Sequence, residues 1–123
     1  MSVLCIATAA AVVKLAAASF TLAWNHSIEK VRWEEDYRIA GHRLELVEAR
    51  VKGSAAGMEP PPDAVLSGGW WHYRPRSRWH SELRLTRSGY AGEYELCLDG
   101  ACRSLGEIAP QAGGVTRVYA CSG

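Results

Sequence analysis

A run of alternating hydrophobic residues that changes parity halfway constrains the fold of this chain more than any other feature. From Phe20 to Ile28 the large apolar side chains share one parity, and from Val31 to Ile39 they share the opposite one. Alternation with a period of two is typical of a β-strand with one buried face. A straight strand cannot bury both sets, because a slip of one residue turns every side chain to the other face. The pattern therefore predicts a bulge or sharp bend near residues 27–30.

The following segment, "HRLELVEARV", repeats this change of parity. Leu44 and Leu46 share one parity, and the apolar residues from Val47 to Val51 share the other. Two long, bent, neighbouring strands favour a strongly curved antiparallel sheet over a flat one. A chain of 123 residues fits one small domain. We therefore predict a single all-β domain over residues 1–123, in which the bent sheet forms a small barrel or a sandwich. A helix through "SIEKVRWEED" is the alternative.

The clearest hairpin lies near the C-terminal end, in "EYELCLDGACRSL". Asp99-Gly100 is a strong signal for a two-residue turn, and that turn would place Cys97 opposite Cys102. Opposed residues at a non-hydrogen-bonded position lie close enough for a disulfide, so Cys97–Cys102 is a candidate bridge, with two reduced thiols as the alternative. The other two cysteines are isolated in sequence, and no cysteine or histidine spacing matches a zinc motif. We predict neither a metal nor a cofactor.

The first 24 residues are apolar enough to resemble a signal peptide or a membrane anchor. No positively charged region precedes the apolar run, and Lys14 interrupts it. Two short buried strands are the preferred interpretation, with no membrane span. Without a convincing signal peptide, the sequence favours a cytoplasmic location over a periplasmic one.

The charge balance argues against nucleic acid as a partner. Fourteen basic residues face thirteen acidic ones, for a net charge of +1, whereas phosphate binding usually needs a basic surface. The segment "WWHYRPRSR" mixes aromatic and basic residues, a pattern that can hold an anionic ligand. In a strand, Trp70 and His72 would point one way and Trp71 and Tyr73 the other, so one face of this segment is predicted to be core.

His26, Ser27 and Glu29 form the most suggestive polar cluster. Only the predicted bend could bring them together, since His26 and Glu29 have opposite parity. The alternative is a buried histidine with satisfied hydrogen bonds and a surface glutamate paired with a nearby base. The acidic run from Glu34 to Asp36 is expected to be a solvated face.

These residues together resemble the family of small bacterial proteins that contain the domain of unknown function 1850. The resemblance extends from about Phe20 to Leu105 and rests on "FTLAWNHSIEKVRWEEDYRI", "LELVEARVKGSAAGMEPPPDAVLSGGWWHYRP" and "LCLDGACRSL". The positions that match the motifs of the family are Trp24, His26, Ser27, Glu29, Trp33, Glu35, Ala55, Gly57 and Met58. Ala55 stands where the family commonly has glycine.

The resemblance implies an accessory role rather than an assigned activity. Members are often encoded beside tripartite transporters of the TAXI type, which take up organic anions with a periplasmic binding protein and a membrane permease. The expected function is a non-catalytic accessory or binding module that contacts transporter components or a small organic anion. The alternative is a small metal-assisted or general-acid/base hydrolase that uses His26 and Glu29. The candidate binding surface comprises His26, Ser27, Glu29, Gly57, Met58, Trp70 and Trp71.

Overall fold

The structure is a computed structural model that describes residues 2–25, 31–53, 62–87, 93–111 and 113–121. Within these ranges the elements are β1 Val3–Ala7, β2 Val12–Ala16, β3 Ser19–Asn25, β4 Arg32–Ala40, β5 Arg43–Lys52, β6 Val65–Ser67, β7 Trp70–Tyr73, β8 Trp79–His80, β9 Leu83–Thr86, β10 Glu95–Leu98, β11 Ala101–Ser104, α1 Leu105–Ile108 and β12 Val115–Cys121. The chain is almost entirely β, as predicted.

The strands form two antiparallel sheets. The smaller sheet has the order β2-β1-β12-β9, and the larger has the order β11-β10-β3-β4-β5-β7-β6, with β8 paired to β5. Neither sheet closes on itself among the described residues, so of the two predicted forms the barrel is not found and the sandwich is the better description. Buried side chains from both sheets form one hydrophobic core that includes Leu4, Ile6, Phe20, Leu22, Leu44, Leu46, Leu96 and Val118.

The parity change that led to the prediction of one bent strand arises from two strands instead. β3 and β4 are antiparallel neighbours, with Phe20 opposite Tyr37 and Trp24 opposite Trp33. Opposed residues in such a pair have their side chains on the same side of the sheet, and here each pair joins an even to an odd position. Both hydrophobic sets therefore face the core from two separate, paired strands. The single-strand interpretation was wrong, and residues 27–30 themselves lie outside the described residues.

The second parity change does mark a bend in one strand, as predicted, although Val47 does not share the buried face of Ala49 and Val51. Asp36 of β4 pairs with Glu48 of β5, but Tyr37 pairs with Leu46, so the register shifts by one residue. The extra residue is Val47, whose side chain is 41% exposed. This β-bulge lets β5 bury Leu44 and Leu46 before it and Ala49 and Val51 after it.

Two glycine-containing turns explain the hairpins. Asp99 and Gly100 have φ values of 51° and 82°, which suit the two-residue turn predicted between β10 and β11. Gly68 and Gly69 have φ values of 60° and 84° and reverse the chain between β6 and β7. The segment from Val65 to Tyr73 is therefore a hairpin.

The N-terminal residues form strands rather than a long helix. All five residues of β1 are buried, as expected, whereas β2 lies at a sheet edge and is only partly buried. No helix among the described residues is long and apolar enough to cross a membrane.

All four cysteines are paired. Cys97 bonds to its cross-strand neighbour Cys102, as the register of the hairpin predicted. Cys5 of β1 bonds to Cys121 of β12, with their Cα atoms 5.9 Å apart. Sequence reasoning missed this second bridge, because its cysteines are 116 positions apart and only the pairing of β1 with β12 brings them together.

The hairpin disulfide should contribute modestly to stability. We expect replacement of both Cys97 and Cys102 by alanine to lower the free energy of unfolding by about 2 kcal/mol, since the bridge closes a short loop. Urea denaturation of the oxidised wild type and the double variant would measure the difference. An unchanged transition midpoint would show that the bridge does not constrain the unfolded chain.

Candidate functional site

The register of the larger sheet assigns each side chain to one of two faces. The inner face is the side that carries the core residues Phe20, Leu22 and Leu96, and the outer face is the opposite side. Glu34 and Asp36 pair with Ala23 and Thr21 and therefore lie on the outer face. Glu35 pairs with Leu22 and Ala49 and lies on the inner face. Glu34 and Asp36 are only partly exposed, with side chains 16% and 33% accessible, and Glu35 is partly buried on the inner face. The expectation that the acidic run is a solvated face is therefore not confirmed.

On the outer face the acidic side chains are paired with arginines. Arg50 donates to Glu34 and to Asp36 at 2.7 Å each, and Arg32 donates to Glu34 at 2.7 Å and to Glu95 at 2.8 Å. Burial alone would raise the pKa of Glu34, but the hydrogen bonds and charges of the two arginines outweigh it and hold that pKa below its usual value. The charges on this face are therefore largely satisfied within the protein.

A groove of about 630 Å³ lies beside this network. Its walls include Asp36, Arg50, the exposed Val47 and the Cys97–Cys102 bridge. Because Arg50 and Asp36 already bond to each other, the groove offers a ligand few unpaired groups, and we regard the outer face as structural.

Glu35 has a different environment from its two neighbours. Its only side-chain hydrogen bond among the described residues comes from the Tyr37 hydroxyl, which donates to Oε1 at 2.7 Å. No lysine or arginine in the described ranges forms an ion pair with it. Burial raises the pKa of Glu35, and the Tyr37 hydrogen bond and the nearby His80 offset this only in part.

Aromatic side chains surround Glu35 along its own strand and on both sides of it. Trp24 and Trp33 stack with ring centroids 6.3 Å apart and planes within 5°, and Tyr94 packs against Trp24 at 6.0 Å. On the other side Tyr73 pairs with Ala49, the residue opposite Glu35. Burial raises the pKa of Tyr73, and the charge of Glu35 raises it further, which places the Tyr73 phenol within the field of the carboxylate.

Tyr94 is affected in the same way. Burial, and then the charge of Glu35, raises its pKa above the usual value. The two phenols therefore lie within reach of the Glu35 field from opposite sides of β4. We name this arrangement the aromatic site, which consists of Trp24, Trp33, Glu35, Tyr37, Tyr73 and Tyr94.

Two buried nitrogen atoms at or near the aromatic site have no hydrogen-bond partner within the part of the chain that the structure describes. They are Nε1 of Trp33 and Nε2 of His80. The His80 ring packs edge-on against Tyr37, with centroids 6.1 Å apart. Buried polar atoms in proteins are nearly always paired, so these two nitrogens are exceptions among the described residues.

Most of the candidate surface predicted from sequence lies outside the described residues. This applies to His26, Ser27, Glu29, Gly57 and Met58. The remaining two, Trp70 and Trp71, lie on opposite faces of β7, as their alternation predicted. Trp70 is on the outer face, beneath the Lys52 ammonium at 5.0 Å, and Trp71 is on the inner face opposite Val51.

Sequence reasoning did not identify the aromatic site as a unit. Glu35 entered only as a member of the acidic run and as a position of the family motif, although its parity matches that of Trp33 and Tyr37 and could have placed it on the inner face. Tyr73, His80 and Tyr94 come from distant strands, and nothing local in the sequence links them to Glu35. Within the described residues no group of three or more histidine, cysteine or acidic side chains is arranged to hold a metal ion.

Glu34 and Glu35 lie on opposite faces of β4, and replacing each by glutamine should change the free energy of unfolding in opposite directions. The pKa of Glu35 is raised on folding, so ionised Glu35 weakens the fold, and this penalty develops as the pH rises from the ordinary glutamate pKa through the raised one. Glu35→Gln should therefore increase the free energy of unfolding at neutral pH, and the gain should vanish in acid. The control is Glu34→Gln. The pKa of Glu34 is lowered on folding, so its ionised form stabilises the fold above the ordinary pKa, and this variant should be destabilised at neutral pH.

Urea denaturation of both variants and the wild type across the acidic to neutral range checks these signs. Equal destabilisation by the two substitutions at neutral pH would contradict the assignment of Glu35 to a half-buried position without an ion-pair partner among the described residues.

Comparison with protein families gives a match over most of the chain. Residues 20–105 match the model of a domain of unknown function, DUF1850. This range contains every residue of the aromatic site and excludes β1, β2 and β12. Neither the curated proteins nor the solved structures include a match to the chain.

Proposed function

Because the chain belongs to the DUF1850 family, whose name assigns no activity, we propose from its geometry that it is a non-catalytic binding module and that a small organic ligand binds at the aromatic site. The observation that carries this proposal is the position of Glu35. It is an acidic side chain on the core-facing side of a sheet, without an ion-pair partner in the described ranges, beside half-buried tryptophans and tyrosines.

Glu35 is a half-buried acid whose ionised form weakens the fold, and such a residue is expected to have a functional role. Ionisable groups with pKa values perturbed by burial are concentrated at functional sites, and binding sites often retain residues that reduce stability. Three positions of the family motif, Trp24, Trp33 and Glu35, meet on this one face. Aromatic side chains with polar tips are well suited to such a site, because they offer apolar contact area together with hydrogen-bonding groups.

The arrangement favours binding over hydrolysis. Glycoside hydrolysis commonly uses two carboxyl groups on either side of the scissile bond. The acids adjacent to Glu35 on β4, Glu34 and Asp36, are on the opposite face and are held by arginines. Glu35 therefore has no second carboxylate from its own strand. The hydrolase alternative required His26 and Glu29, which lie outside the described residues.

We further propose, on the family resemblance, that the module is accessory to TAXI-type uptake. The two disulfides support a location where such a transporter could meet it. Disulfides persist in oxidising compartments such as the bacterial periplasm and are rare in the cytosol, which favours the periplasm over the cytoplasmic location expected from sequence. Alkylation of protein in intact cells, followed by mass spectrometry, should find all four cysteines blocked. Quantitative labelling of the thiols would exclude this compartment.

The binding function can be tested with tryptophan fluorescence, since Trp24 and Trp33 belong to the site. The purified protein would be titrated with a panel of small ligands that includes succinate, glutamate, choline and uncharged alcohols. We expect a saturable change with at least one of them that is weakened by Glu35→Gln and retained in Glu34→Gln. A panel without any saturable response at millimolar concentration would overturn the proposal.

The accessory role needs a separate experiment. The protein would be mixed with the permease and the periplasmic binding protein of a TAXI-type transporter, and complexes would be recovered on the tagged permease. We expect co-recovery at micromolar concentration. Recovery of the binding protein alone would contradict the accessory role and leave the ligand-binding proposal to its own test.

A further inference from the structure

We infer that the aromatic site takes a small organic ammonium ion, held by the carboxylate of Glu35 and by the faces of the surrounding rings. This inference rests on the proposed binding function and specifies its ligand class.

The charge distribution across β4 gives the first argument. Three consecutive acids occupy this strand, and the two on the outer face, Glu34 and Asp36, are each bonded to a guanidinium group at 2.7 Å. Glu35 on the inner face receives a neutral hydroxyl from Tyr37 instead. A carboxylate withdrawn from water is costly unless a positive charge accompanies it. A cationic ligand at the inner face would give Glu35 the positive charge that the arginines give to Glu34 and Asp36 at the outer face.

The rings give the second argument. The faces of tryptophan, tyrosine and phenylalanine rings carry partial negative charge and attract cations, most strongly in the case of tryptophan. Trp24 and Trp33 form a nearly parallel pair whose exposure is intermediate, so part of their surface can meet a ligand. An alkylammonium ion is attracted to such faces and also tolerates the apolar contact.

The remaining polar groups fit the same ligand class. Tyr73 and Tyr94 stay neutral, because burial and then the charge of Glu35 raise their pKa values, so their oxygens can accept hydrogen bonds from N–H groups. Nε1 of Trp33 is a hydrogen-bond donor that has no acceptor among the described residues. It could donate to an oxygen atom elsewhere on the ligand. An amino alcohol combines both requirements. A carboxylate ligand would instead meet Glu35 as a like charge.

The groups whose ionisation bears on the site are Glu35 and Tyr37 on β4, Tyr73 on β7, His80 on β8 and Tyr94 before β10. At neutral pH the tyrosines are uncharged. Binding of a cation should therefore weaken as acid protonates Glu35.

The test compares choline with 3,3-dimethylbutan-1-ol, which has the same shape without the charge. Titrations would follow tryptophan fluorescence at neutral and at acidic pH, with succinate as the anionic arm. We expect choline to bind at least about tenfold more tightly than its neutral isostere, a difference within the range of an ion pair combined with cation–π contacts. We also expect its affinity to fall in acid.

Single substitutions test which side chains bind the cation. Glu35→Gln should weaken choline binding by at least about tenfold and leave binding of the neutral isostere unchanged, and the expected stability gain of this variant guards against a folding artefact. Trp33→Phe should retain a ring for the cation and lose the Nε1 donor, so it should weaken choline more than tetramethylammonium, which has no oxygen. Glu34→Gln should bind all probes as the wild type does.

Each alternative outcome is decisive. Equal affinity for choline and its isostere, or unchanged choline affinity in Glu35→Gln, would overturn the inference. Saturable binding of succinate without choline would overturn the ammonium assignment but leave the proposed binding function standing. Failure of every probe in the panel would overturn both.

Discussion

Replacement of Cys5 and Cys121 together by alanine is expected to lower the free energy of unfolding by about 5 kcal/mol, the largest single effect that we anticipate. The two cysteines are separated by 116 positions, so their bond closes a loop that comprises nearly the whole chain. In the chain-entropy model the stabilisation increases with the logarithm of loop length, which makes this bridge worth more than twice the hairpin bridge. Cys5 is 1% exposed, so the substitution also removes some buried packing.

The position of the Cys5–Cys121 bridge explains why its loss should destabilise the whole domain. It joins β1 to β12, the two central strands of the smaller sheet, and both lie outside residues 20–105 that define the family. The bridge therefore fixes the flanking strands to each other where they cover the core of the family domain.

Urea denaturation without reductant would compare this double variant with the Cys97→Ala/Cys102→Ala variant. Loss of the terminal pair should lower the free energy of unfolding more than loss of the hairpin pair. The reverse order would contradict this expectation, because loop length would then not govern the two contributions.

Arg87→Ala is expected to lower the free energy of unfolding by about 3 kcal/mol, through the loss of a buried, hydrogen-bonded cation. The Arg87 residue is 8% exposed, and its Nη1 donates to the carbonyl of Ala109 and to the hydroxyl of Thr116 at 3.0 Å each. Ala109 caps α1 and Thr116 lies on β12, so this one guanidinium group connects the helix, the end of β9 and a central strand. Its removal leaves the Ala109 carbonyl without this donor.

Arg84, which lies on the same segment three residues before Arg87, offers a matched control. Arg84 of β9 is an exposed arginine whose nearest partner is Glu82 at 3.1 Å, and exposed ion pairs contribute at most about 1 kcal/mol. Arg84→Ala should therefore leave the transition almost unchanged. Similar losses from Arg84→Ala and Arg87→Ala would show that the Arg87 contacts carry no special weight. The measurement is again equilibrium denaturation of the oxidised proteins.

The fold class could be predicted because local patterns in this chain follow strand physics closely. The β5 bulge at Val47 followed from a parity change within ten residues, and the Asp99-Gly100 turn followed from the need for positive φ at two successive positions. The same reasoning failed between Phe20 and Tyr37, where a change of parity also arises from a hairpin. Periodicity alone does not distinguish a bulge from a reversal when the turn itself gives no strong signal.

The candidate site was harder to predict, because it depends on long-range pairing. Parity could place Glu35 beside Trp33 and Tyr37, but the approach of Tyr73 and Tyr94 depends on the order of β10, β3, β4, β5 and β7 in the sheet. The Cys5–Cys121 bridge was missed for the same reason. Each of these contacts joins residues whose relation is set by sheet topology and not by spacing along the chain.

The most direct test of the central claim is the titration of the Glu35 carboxyl group by ¹³C NMR, in the free protein and with choline present. In the free protein the pKa of Glu35 should lie above the ordinary glutamate value, because of burial. With choline bound this pKa should fall, because the ligand stabilises the charged form. A free-protein pKa at or below the ordinary value would mean that Glu35 is already solvated or paired. It would remove the reason to place a cationic ligand on the inner face.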